Sequence, residues 1–129
     1  MHTTNYYDTF IGTAEDCPVD VAEVPPVKGD KKSAANIQFE MIADHPYKYT
    51  SDDVVFKVFA EKNDGSREEF FSKGQPCLRA SPLVKRYGWG VHHNADGKVA
   101  IYGKGTPEYK NFTADKSLKQ LKGMRSKKV

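Results

Sequence analysis

Residues 86–103 read RYGWGVHHNADGKVAIYG. Two short runs of aromatic and β-branched residues flank Asn94-Ala95-Asp96-Gly97, a turn signature in which Gly97 can take the positive φ of a tight reversal. The pattern predicts a β-hairpin over 87–102. A lone hairpin is marginal in water and needs more strands or a covering layer of helix. The rest of the chain must supply both.

A further strand is expected over 5–12. In NYYDTFIGTA (5–14), Tyr7, Thr9 and Ile11 alternate with Tyr6, Asp8, Phe10 and Gly12, and β-favouring residues dominate. Helices are expected near 33–44, 51–62 and 106–114. Ser33 can cap SAANIQFEMIADH, with Pro46 as the stop. Thr50 or Ser51, followed by Asp52 and Asp53, suits a second helix start, although VVFKVF is also rich in strand formers. Thr106-Pro107-Glu108 combines a cap, a proline in the first turn and an acid. A fourth, shorter helix fits SREEFFSKG, capped by Ser66. The C-terminal DKSLKQLKGMRSKKV (115–129) spaces Leu118, Leu121 and Met124 by three, which predicts a short helix rather than a strand, with 123–129 frayed. The fold class expected is α+β: an antiparallel sheet containing the 87–102 hairpin and strand 5–12, covered by three or four short helices.

At 129 residues the chain fits one domain, 1–129, with a connection at 15–32 (EDCPVDVAEVPPVKGDKK) long enough to be mobile. Its aromatic content of 12% argues against disorder. No apolar run reaches the ~18 residues of a membrane span. The N-terminus lacks the charged start and apolar middle of a signal peptide, so the expected compartment is the cytosol. Cys17 and Cys77 then read as free thiols, and no zinc-site spacing of Cys and His occurs. No metal or other cofactor is expected. The net charge of +3 conceals a split. Residues 1–66 hold 12 acidic and 6 basic side chains, and residues 67–129 hold 5 acidic and 14 basic. Such a split marks either an anion-binding half or two halves that pack against each other.

Candidate chemistry concentrates in QPCLRASPLVKRYGWGVHH (75–93). Arg79, Lys85 and Arg86 could contact phosphates while Tyr87 and Trp89 stack on a base. Cys77 is the best nucleophile in the chain, with those cations near it in sequence and His92 or His93 as a base. Adjacent strand residues point to opposite faces, so the two histidines do not readily share one metal ion. A separate anion site is expected where Lys28, Lys31 and Lys32 lead into the helix capped by Ser33. The first glycine of a phosphate loop is missing there.

The segments NYYDTFI, AEDCPV, EVPPVKG, HPYKYTSDDVVF, FFSKGQPCLRASPLVKRYGWGVHH and GKVAIYG, with the terminal MRSK, resemble a family of small bacterial proteins of unknown function. The resemblance spans nearly the whole chain. It implies one self-standing domain and brings no activity, cofactor or catalytic residue with it. Three functional classes therefore stand: a binding module for an anionic ligand (nucleotide or nucleic acid), a small enzyme using Cys77, and a protein-interaction or homo-oligomerising domain.

Overall fold

The computed structural model describes residues 2–126. The hairpin forms as predicted: β2 (Trp89–His93) pairs antiparallel with β3 (Val99–Gly103), Val91 opposite Ile101. Its turn closes through Gly97 N–H to Asn94 O (3.0 Å), with Gly97 at φ +79°. The N-terminal strand is shorter than expected, β1 (Thr9–Gly12), and pairs antiparallel with β2, Phe10 opposite His92. Asp8, at φ +47°, breaks the extended run just before it.

The last strand corrects two expectations. Lys119–Lys122 is β4, not a helix, and it runs parallel to β1, so the sheet is mixed, in the order β3-β2-β1-β4. The three-residue spacing misled because only Leu121 packs on the core, while Met124 stays exposed. The free edge of buried β1 carries backbone groups that need partners, and 119–123 supplies them: Lys119 N–H to Asp8 O (2.9 Å) and Gly123 N–H to Gly12 O (2.8 Å). Gly123 suits this path. A Cβ there would lie 2.9 Å from Val84 Cγ2 and 3.1 Å from the Ala14 nitrogen. Of the tail expected to fray, 123–126 remains tied to the fold, with Met124 N–H bonded to Arg79 O and Ser126 N–H to Asp16. Residues 127–129, including Lys127 and Lys128, lie outside the described residues.

Helices cover both faces of the sheet. On one side lie α1 (Ala34–Asp44), α2 (Ser51–Ala60), α3 (Arg67–Phe70) and α4 (Pro82–Lys85). Ile42, Val54, Leu78 and Val84 from that side pack with Ile11, Val91 and Val99 of the sheet as the main core. On the other side, α5 (Pro107–Ala114) lays Tyr109 and Phe112 against Phe10. VVFKVF resolves as helix because Thr50 and Asp53 form a capping box, Asp53 N–H to Thr50 Oγ1 (3.2 Å) and Thr50 N–H to Asp53 Oδ2 (3.0 Å). Its Phe56 then meets Phe70 of α3 edge-on, and Phe59 packs on the same ring at a tilt. Among the described residues no helix is long and apolar enough to cross a membrane.

Asp52, in the first turn of α2, ties down the N-terminal segment. It is buried and accepts from the Thr4 amide (2.6 Å), the Thr4 hydroxyl (2.7 Å) and the Thr3 hydroxyl (2.7 Å). Removing the carboxylate strands the buried Thr4 amide, while the Thr4 hydroxyl keeps the Ser51 hydroxyl 2.9 Å away. Asp52→Ala is expected to cost about 2 kcal/mol in urea unfolding. Asp52→Asn, which keeps one acceptor oxygen, should lose less.

Candidate functional site

The chemistry-rich stretch folds as two short turns that face its polar side chains in different directions. Cys77 opens a 3-10 turn, Leu78–Ala80, and Ser81 then caps α4 with Pro82 in the first turn. Leu78, Leu83 and Val84 are buried. The intervening polar residues are therefore displayed around the turn and do not form one row. Ser81 is also fixed from below, donating to Gln38 Oε1 of α1 at 2.5 Å.

Lys85, Arg86 and Tyr87 stay together. They line a groove of about 450 Å3 together with Asp16, Pro18, Val19 and Glu23 of the 15–32 connection and Ser126 of the C-terminal segment. That connection is held at its middle: Ala22 N–H bonds Lys104 O (3.0 Å), Glu23 N–H bonds Tyr87 O (2.9 Å), and the Asn36 amide bonds Pro25 O (3.0 Å). Neither Lys85 nor Arg86 closes an ion pair among the described residues. The acidic and basic ends of the chain do meet nearby, where Glu15 pairs with Lys122 and Arg125. Those cations hold the Glu15 carboxyl below its usual range, Arg125 most strongly.

Trp89 and Arg79 are placed apart from this set. Trp89 donates its indole N–H to Glu23 O (2.8 Å) and meets Phe39 edge-on, so its ring braces the connection against α1. Arg79 donates from Nε to Lys122 O (2.7 Å), stapling the turn to β4.

Cys77 is half-buried on the wall of a cleft of about 300 Å3 between α1, α2 and the 75–82 turn. Its sulfur lies 3.4 Å from the Tyr6 hydroxyl. That contact, and then burial, push the Tyr6 hydroxyl up, while nearby Arg79 pulls it the other way. The two histidines diverge as the strand alternation predicts. The His93 ring meets Tyr6 edge-on and is wholly buried. Burial pushes it down to about 4. His92 faces α5, where its Nδ1 lies 2.8 Å from the Tyr47 hydroxyl and its ring stacks on Phe112. Cys77, Arg79 and Tyr6 thus converge, with His93 against the Tyr6 ring and His92 on the opposite face of the sheet.

Sequence reasoning passed over the His92–Tyr47–Tyr102 chain. Tyr47 takes φ +60°, a left-handed conformation unusual for a side chain of its size, and its hydroxyl is 2.8 Å from that of Tyr102. Burial and then Tyr102 raise the Tyr47 hydroxyl, and burial lowers His92. Phe112 stacks on both His92 and Tyr102, which closes the cluster as packing between α5 and the hairpin. The proline at position 46 was the only signal that a sharp turn begins there.

Lys31 and Lys32 line a second cleft, of about 660 Å3, together with Lys57 and Lys62 of the α2 region. Ser33 takes no part in it. Its hydroxyl accepts from the Asn36 N–H and its own amide donates to Asn36 Oδ1, a closed capping box that occupies the helix start. Lys28, which is not part of the lining, pairs its backbone with Lys31 in a small β-bridge. Among the described residues no cluster of His, Cys, Asp and Glu is arranged to hold a metal ion.

The chain belongs to a family of unknown function (DUF6157), whose model matches residues 1–129. No curated protein and no solved structure matches it.

Proposed function

We propose that the protein is a binding module for an anionic ligand of nucleotide size, held in the groove of Lys85, Arg86 and Tyr87. One observation carries this: two neighbouring cations without ion-pair partners among the described residues sit beside an aromatic ring on the wall of a groove of about 450 Å3. A volume of that order suits a small ligand. An unpaired guanidinium and ammonium are the groups that grip phosphate, and Tyr87 offers a ring for a base or another planar body. Asp16 and Glu23 in the same lining limit the net positive field. That favours one or two phosphates over a long polyanion.

The single Trp gives a built-in reporter, since Trp89 is bonded to Glu23 of the groove wall. Titrating AMP, ATP and inorganic phosphate against Trp89 fluorescence is expected to give saturable binding that weakens as salt is raised. Lys85→Glu/Arg86→Glu should weaken it at least tenfold. A salt-independent signal, or one unchanged in that double variant, would rule the groove out. A single-stranded oligonucleotide binding far more tightly than AMP would instead assign the protein to nucleic acid.

A further inference from the structure

A cleft of about 660 Å3 lies away from the proposed nucleotide groove, between the 28–32 turn and the exposed sides of α1 and α2. Its charges fall into two groups. Lys32 pairs with Glu40 (2.8 Å) on one wall, and Lys57 pairs with Glu61 (2.9 Å) on the other. The two walls feel each other, because Glu61 adds to the pull of Glu40 that raises Lys32. Lys31, Lys62 and the carboxylate of Asp30 also line the cleft, and none of the three closes an ion pair among the described residues. Ile37 and Met41 of α1 supply the apolar part of the lining, among ammonium and carboxylate groups.

A pure polyanion gains little from those apolar side chains, and a neutral apolar molecule leaves the lysines unused. We infer that this cleft binds an amphipathic organic anion, a single carboxylate or phosphate head carried on a short aliphatic body. The head would meet Lys31 and Lys62, whose charge is not already neutralised, and the body would lie on Ile37 and Met41. Met is suited to this because its unbranched, polarizable side chain adapts to irregular apolar ligands. The ion pairs Lys32–Glu40 and Lys57–Glu61 hold the walls, and Lys31 and Lys62 set against Asp30 leave one net positive charge, which suits a single negative head.

The test uses octanoate as probe and the methionine methyl groups as reporters, in protein labelled with 13C at those methyls. Met41 lines the cleft, while the exposed Met124 serves as an internal control. Octanoate is expected to shift the Met41 signal saturably and leave Met124 unmoved. Acetate, which has the head without the body, should bind at least tenfold more weakly. Lys31→Glu/Lys62→Glu should weaken octanoate at least tenfold, with the amide spectrum showing that the variant remains folded. Lys85→Glu/Arg86→Glu should leave octanoate binding unchanged, so the two sites succeed or fail separately. The inference is overturned by an unshifted Met41, by acetate binding as well as octanoate, or by octanoate binding that ignores the lysine variant.

Discussion

Gly90→Ala is expected to destabilise the protein by about 3 kcal/mol, the upper end of what overpacking a core costs. Gly90 lies in the middle of β2 and is buried. A Cβ there would collide with Phe10 Cζ and lie 2.8 Å from Tyr109 Cε2. A flexible side chain could swing aside, but Phe10 cannot. Its ring is fully buried, stacked on Phe112 at 5.4 Å and met edge-on by Tyr109 at 5.5 Å. Relieving the clash means moving α5 off the sheet. Gly29→Ala is the contrast. Gly29 has φ +67° and nothing within 4 Å of the added Cβ, so only its left-handed backbone is strained, at about 1 kcal/mol. Urea unfolding of both variants measures the difference. A cycle with Phe10→Leu separates clash from propensity, since the smaller side chain should recover part of the Gly90→Ala loss. A Gly90→Ala variant as stable as the parent would mean that α5 does not press on β2 as described.

The elements that could be predicted were those whose signals are local. The hairpin followed from a turn with a glycine at the required place, and α1, α2 and α5 followed from caps that close within three residues of themselves. β4 was lost because nothing within KQLK marks it as a strand. Its existence depends on the unpaired edge of β1, more than a hundred residues away in sequence. The candidate site divides in the same way. Lys85, Arg86 and Tyr87 are consecutive and stayed together, while Arg79 and Trp89, a few residues to either side, were claimed by backbone carbonyls of Lys122 and Glu23. Lys57 and Lys62 joined Lys31 and Lys32 only because α2 packs against α1. Such meetings are tertiary, and a single sequence does not display them.

His93 makes the second large prediction, a loss of stability in mild acid. The ring is 0% exposed, and neither nitrogen closes a hydrogen bond among the described residues, although the backbone of Val91 and Thr9 lies close. Burial holds it neutral, with its pKa pushed down to about 4 from an ordinary value of 6.5. Well above pH 6.5 neither the folded nor the unfolded chain protonates this ring, so it adds no pH dependence there. Below pH 6.5 the unfolded chain takes up a proton that the folded chain refuses, and unfolding is favoured. The loss grows until the pH reaches about 4, for a total of about 3 kcal/mol, and amounts to about 2 kcal/mol between pH 7 and pH 5. His92, also lowered by burial, acts with the same sign. Glu15, Asp53 and Asp115 have depressed carboxyl groups and lose their contribution as pH falls below roughly their unfolded values of 4.5 and 3.8. The interval from pH 6.5 to 5 therefore belongs to the histidines. Urea midpoints across that interval should fall steadily in the parent protein and far less in His93→Leu, whatever the absolute stability of that variant. The comparison rests on slope, so it survives any packing loss from the substitution. Equal slopes in the two proteins would show that His93 is protonated in the folded state, and its ring would then have to reach water or an acceptor that this packing denies it.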